Sequence, residues 1–200
     1  MASRYEYRGF APDFGIVERR MREGGEPTAI RESREVYLVS RDSEKWNIKF
    51  RNGQLDVKKL IDRSGEFEQW EPQVKIDLPV ATDSLCEILA PTLGLSQNDL
   101  LGGNKVLPFD ELLGQLHANC PQVVIVDLFK RRFGFEIGDC LAEMAEVRIN
   151  GAAIRTACIE STNLAELKRL AYSLGLDVYR NVSYVRALQR VTGLIRDPLF

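Results

Sequence analysis

From Asn47 to Lys58 the chain alternates apolar and polar side chains with a period of two. Ile48 and Phe50 face one way and Lys49 and Arg51 the other, as successive strand residues must. After Asn52-Gly53, a dipeptide that favours the tight hairpin, the split repeats with Leu55 and Val57 opposed to Asp56 and Lys58. The pattern predicts two paired strands with one apolar face and one cationic face. A first strand is expected over Arg4 to Arg8, with Tyr5 and Tyr7 set against Arg4, Glu6 and Arg8, and a β-rich run follows from Arg34 to Ser40. Phe67 to Trp70 and Gln73 to Leu78 form another strand region, broken by Pro72, which suits an edge or a bulge. Strands resume at Val123 to Phe135, Asp139 to Asn150 and Ala153 to Ser161, with Asn150-Gly151 as a second hairpin turn.

Between these stretches the apolar spacing lengthens to that of helices. Phe14, Val17 and Met21 mark one, closed by Gly24-Gly25. Asp83 is placed to cap another through Leu89, with Pro91 after it. Phe109, Leu112, Leu113 and Leu116 form the stripe of a third, which either covers the sheet or pairs with a second copy of the chain. The segment between the second and third helices, with Gly94, Gly102 and Gly103, reads as loop. Residues 80–121 are thus expected to be a mostly helical insertion within a single domain spanning 1–200. Asn163 and Glu166 form a capping box, and Gly175 ends the helix they begin. A last helix is expected from Ser183 to Thr192, with Tyr184, Leu188 and Val191 inward. Many antiparallel strands with helices inserted and appended predict an α+β fold, and the strand number suits a closed or nearly closed barrel.

Composition narrows the function classes. The 200 residues are 44% hydrophobic and 28% charged, the balance of a globular protein. No apolar run approaches the ~20 residues of a membrane span, and the N-terminal residues lack the basic-then-apolar pattern of a secretory leader, so a cytoplasmic location is expected. The net charge of -2 argues against a surface built throughout for nucleic acid. Trp46 and Trp70 near basic strands fit packing better than base stacking. The four cysteines are dispersed without a C-x-x-C pair, which predicts reduced thiols and no zinc knuckle. The single histidine, His117, excludes H-E-x-x-H metal chemistry and sits on a predicted helix. No phosphate-binding P-loop, dinucleotide-binding glycine motif or G-x-S-x-G elbow occurs.

The charged residues on predicted strands carry the remaining signal. The cations are Arg8, Arg34, Lys49, Arg51, Lys58, Lys59, Lys75, Lys130, Arg131 and Arg132; the acids include Glu6, Glu143, Glu146 and Glu160. In an open sheet they form a solvated face. In a barrel they line the lumen, and unpaired buried charge is costly enough that such a lumen must hold water or a charged ligand. Cations exceed acids, so the natural ligand is a polyanion. The acids would then hold a hard divalent ion such as Mg2+ or Mn2+ beside phosphate oxygens. Which of Glu143 and Glu146 faces inward depends on register, since a one-residue slip inverts every side chain.

Laid out in this order, the chain resembles the CYTH superfamily, the triphosphate tunnel metalloenzymes, and most closely a bacterial CYTH-like group. The resemblance rests on Tyr5-Glu6-Tyr7-Arg8, on Arg34-Glu35-Val36-Tyr37-Leu38, and on Asn47 to Gly53 leading into Leu55-Asp56-Val57-Lys58. Phe129-Lys130-Arg131-Arg132-Phe133-Gly134-Phe135 and Glu143 with Glu160 complete it. It implies an antiparallel eight-stranded barrel with peripheral helices and a charged tunnel. The activity it implies is that of a triphosphatase-type phosphohydrolase dependent on Mg2+ or Mn2+, acting on a triphosphate- or polyphosphate-containing small molecule. Arg8, Arg34, Lys49, Arg51, Lys58, Lys75, Lys130 and Arg132 would bind phosphate, and Glu6, Glu143 and Glu160 would hold metal. No membrane and no nucleic-acid partner is expected.

One position departs from the family. Its N-terminal E-x-E-x-K signature is here Arg4-x-Glu6-x-Arg8. Replacing the first glutamate with a cation removes a ligand and adds repulsion toward a divalent ion. The alternative is therefore a non-catalytic polyanion-binding module on the same barrel.

Overall fold

The computed structural model describes residues 2–96 and 103–199. Its strands are β1 (Arg4–Ala11), β2 (Ala29–Val39), β3 (Trp46–Arg51), β4 (Gln54–Ser64), β5 (Phe67–Asp77), β6 (Val124–Ile137), β7 (Cys140–Ile149) and β8 (Ala152–Ser161). They close into one antiparallel barrel in the order β1-β5-β4-β3-β2-β6-β7-β8. The expected Asn52-Gly53 and Asn150-Gly151 hairpins are both present, with φ of 53° and 47° at the asparagines and 71° and 91° at the glycines. Positive φ at both central residues is the twist a tight hairpin needs.

Among the described residues five α-helices surround or enter the barrel: α1 (Ile16–Glu23), α2 (Thr82–Leu93), α3 (Phe109–Asn119), α4 (Leu164–Leu174) and α5 (Tyr184–Val191). The outer faces of β7 and β8 pack Ala142, Met144, Ala157 and Ile159 against Val17 and Met21 of α1 and Leu167, Leu170 and Leu174 of α4. On the other flank Ile48, Phe50, Leu55 and Val57 pack against Leu85, Leu89 and Leu93 of α2 and Leu112 and Leu116 of α3. The α3 stripe thus covers the wall of its own barrel. The third cluster lies inside. Phe10, Tyr37, Leu60, Val126, Leu128 and Val147 of the strands meet Tyr184, Val185 and Leu188 of α5, so this helix plugs one end.

Several local expectations change. β5 runs unbroken through Pro72, where the β4–β5 register shifts. Beyond Trp70 no pairing with β1 continues, so the missing proline N–H faces no ladder. Pro91 lies inside α2. Its backbone cost, about 3 kcal/mol, is offset by the buried stripe, and Gly94 in the left-handed region ends the helix instead. Asp83 occupies the first turn of α2 without capping it. Val191 is exposed, because α5 ends where it turns out of the plug. As expected, the Asn163 side chain caps α4 by accepting from the N–H groups of Ala165 and Glu166, and Gly175 closes it. Gly102 lies outside the described residues. No described helix is long and apolar enough to cross a membrane.

Candidate functional site

Directly paired residues of an antiparallel ladder share a face, so the register identifies the lumen. Tyr37 lies opposite Lys49 and Glu35 opposite Arg51, while Asn47 lies opposite Lys58 and Lys49 opposite Asp56. Arg8 lies opposite Cys158, and Glu6 opposite Glu160. Glu143 also lies opposite Cys158, which settles the β7 register: Glu143 points inward, and Glu146, three residues along the strand, points outward beside Arg131. Lys130 and Arg132 complete the wall.

The chamber has two electrostatic sides. On one, Lys130 Nζ lies 2.5 Å, Arg132 Nε 3.0 Å and Arg8 Nη1 3.3 Å from the carboxylate of Glu143. Glu35 is held by Lys49 at 3.3 Å, Arg51 at 3.4 Å and Arg132 at 3.7 Å, and accepts a 2.9 Å hydrogen bond from the Tyr37 hydroxyl. Burial alone would push both acids toward neutrality. Lys130, Arg8 and Arg132 instead bring Glu143 down to about 2, and Lys49, Lys130 and Arg51 hold Glu35 far below the carboxylate range. Burial lowers Lys49 to about 8, with Arg51 and Lys130 adding to the effect and Glu35 opposing it.

On the other side the acids crowd one another. Burial and the facing charge of Glu6 push Glu160 up, and burial with Glu6 does the same to Glu68. Glu6 itself, penalised by burial, is drawn down by Arg8 and Lys58. The Arg8 side chain joins the two sides, donating from Nε to Glu6 at 3.0 Å and from Nη1 to Glu143 at 3.3 Å.

A carboxylate oxygen of Glu6, one of Glu160 and the Cys158 thiol lie within 4.8 Å of one another. The two carboxylates fit a divalent ion on chemistry: both are hard oxygen donors, and their crowding is relieved by positive charge. Cys158 is a soft donor whose thiol burial pushes well up, and it suits such an ion poorly. Arg4 Nη1 reaches Glu160 at 3.7 Å, so the position that departs from the family signature supplies a competing cation.

Not every expected residue enters the chamber. Arg34 pairs with Phe129 on the outer face and lines an external cavity of about 810 Å³ beneath α3. In the sequence the Val36-Tyr37-Leu38-Val39 run, apolar at successive positions, conceals which face of this strand is outward. Lys75 lies opposite Asp56 and is exposed at the rim. His117 is exposed on α3, remote from the lumen. The Trp70 indole is buried and donates to Glu68 at 3.3 Å, while Lys59 Nζ lies 5.3 Å from the Trp46 ring. Glu35, Asp56, Glu68 and Tyr184 were not among the expected site residues. Asp56 follows from the period-two rule once Lys49 is known to face inward, since the two lie opposite each other across the Asn52-Gly53 hairpin.

No family model and no curated protein sequence matches the chain. Solved structures do share its barrel. A Hippeastrum protein, described as an adenylyl cyclase with a dominant triphosphatase activity, superposes with a TM-score of 0.54 at 11% identity, covering 98% of both chains. The fold is CYTH-like. Two further structures share the fold. The PH1819 protein of Pyrococcus horikoshii has a TM-score of 0.50 at 16% identity, covering 94% of this chain and 99% of its own. A conserved hypothetical protein of Pyrococcus furiosus gives 0.51 at 14%, covering 91% and 98%.

Proposed function

We propose that the tunnel binds the phosphate chain of a triphosphate or polyphosphate compound and hydrolyses it with a divalent cation. The observation that carries this reading is the polarised chamber: Arg8, Lys49, Arg51, Lys58, Lys130 and Arg132 converge beside the crowded Glu6–Glu160 pair. Entering phosphate oxygens would compete with Glu143 and Glu35 for the cations that now hold them. Arginine matches those oxygens through two parallel N–H groups, and lysine supplies compact charge. Glu6 and Glu160 would hold Mg2+ or Mn2+, which when bound polarises a phosphoryl group toward attack by water. The triphosphatase activity described for the Hippeastrum protein agrees with this reading. The chain as a whole is proposed to be a single domain with 80–121 as its insertion.

A specific observation favours a second reading. The Arg4–Glu160 ion pair would neutralise half of the donor pair and leave a metal-independent polyanion-binding module. Phosphate release from inorganic triphosphate in Mg2+, Mn2+ and EDTA separates the two. The hydrolase reading expects metal-dependent turnover that Glu160→Gln abolishes, and unchanged turnover in that variant would refute the assignment. The binding reading expects no turnover, with thermal stabilisation by triphosphate persisting in EDTA.

A further inference from the structure

The chamber grades from an open mouth to a closed floor. Side-chain exposure falls from 46% at Arg4 and 26% at Arg132 to 5% at Arg8 and Lys130. Below these two cations stands Tyr184, the first residue of α5 and itself 5% exposed. Its ring stacks on Tyr37 at 5.9 Å and meets Phe10 edge-on at 5.3 Å. Arg8 Cζ lies 4.5 Å and Lys130 Nζ 4.9 Å from its centroid. Arg8, Lys130, Glu143 and Glu35 all act electrostatically on its phenol, yet the hydroxyl makes no hydrogen bond among the described residues. Tyr7 and Tyr37, equally buried, are both paired, to the Tyr179 carbonyl and to Glu35. Buried polar groups are ordinarily satisfied, so an orphan donor beneath a cationic chamber points to a ligand acceptor.

We propose that the Tyr184 hydroxyl receives the free end of the phosphate chain, so that the site takes compounds with an unsubstituted terminal phosphate and rejects chains substituted at both ends. This rests on the phosphate-chain reading of the tunnel. Val182, Val185 and Leu188 pack below Tyr184 against Leu60, Val126 and Leu128, and among the described residues this buried apolar cluster closes the barrel at that end. A chain therefore enters end-first. A terminal phosphate carries more negative charge than an internal one, which Arg8 and Lys130 offset while Tyr184 donates to one of its oxygens. An organic group at both ends would have to reach a floor of aromatic rings and desolvated cations, with no acceptor for the hydroxyl.

The test is calorimetric binding of inorganic triphosphate, ATP and diadenosine triphosphate to wild type and Tyr184→Phe, with Ca2+ and again with EDTA. The phenylalanine keeps the ring packing and removes only the donor. Wild type is expected to bind triphosphate and ATP and to bind the diadenosine compound at least about tenfold more weakly. Tyr184→Phe is expected to melt no lower than wild type and to bind triphosphate about tenfold more weakly, the scale of one lost hydrogen bond. Equal affinity of the variant and wild type for triphosphate, or of ATP and diadenosine triphosphate for wild type, overturns the floor contact alone. Failure of wild type to bind any of the three overturns the tunnel reading with it.

Discussion

Lys49 is the lumen cation whose charge is most easily lost. With a folded value of about 8, it is protonated below that pH and neutral above it. Triphosphate affinity should therefore fall as pH rises through 8, and titration calorimetry from pH 7 to 9.5 should show a shallower fall in Lys49→Met. The sign for stability is opposite. The folded state binds this proton less tightly than the unfolded chain, so the contribution of Lys49 rises with pH from about 8 into the ordinary lysine range. Glu143 provides the complementary case, since three cations grip it. Glu143→Gln leaves them uncompensated and should cost about 3–5 kcal/mol, read as a lower melting temperature that triphosphate partly restores; an unaltered melting temperature would show that Glu143 is not their counter-charge. Much of this was legible in the sequence. Strand alternation put Lys49, Arg51 and Lys58 on one face, but β2 is buried at successive positions from Tyr37 to Val39, and that unbroken apolar run could not tell Arg34 from Glu35.

At the scale of elements, α5 shows why local pattern stops short of architecture. Its apolar positions were readable, but nothing in eight residues distinguishes a helix lying on a barrel from one inserted into it. The exposed Val191 and buried Gln189 mark the difference: the Gln189 amide donates to the carbonyls of Ser40, at 2.8 Å, and Arg41 at the plugged end. Leu188, fully buried there, should cost ~2–5 kcal/mol when changed to Ala, measured as a lower urea midpoint. A loss below 1 kcal/mol would mean that the plug packs loosely. Pro72 marks an irregularity in the ladder, as an edge or bulge proline does, whereas Pro91 reads as a stop because a proline's cost is local and the buried helix stripe that offsets it is tertiary.

For the whole molecule, the charged lumen sets the response to acid. Glu35 and Glu143 have depressed folded values, so the stability they contribute is complete above the ordinary carboxylate range and is lost as pH falls toward about 2 for Glu143. Glu160 and Glu68 are shifted the other way and gain relative stability once protonated. The melting temperature should thus decline across that window, and less steeply in Glu143→Gln than in wild type; equal slopes would assign the acid sensitivity elsewhere. The closure of the barrel has a consequence in time as well as in space. Glu6 lies opposite Glu160, and Arg8 opposite Cys158, so neighbours in the chamber are contributed by the first strand and the last. Such distant pairings form late and slowly. A growing polypeptide has released nearly all of the chamber's cations before β8, the strand that seals them, exists. A nascent chain halted before Ala152 carries the cations of the tunnel but no tunnel, and the wall closes only with its last strand.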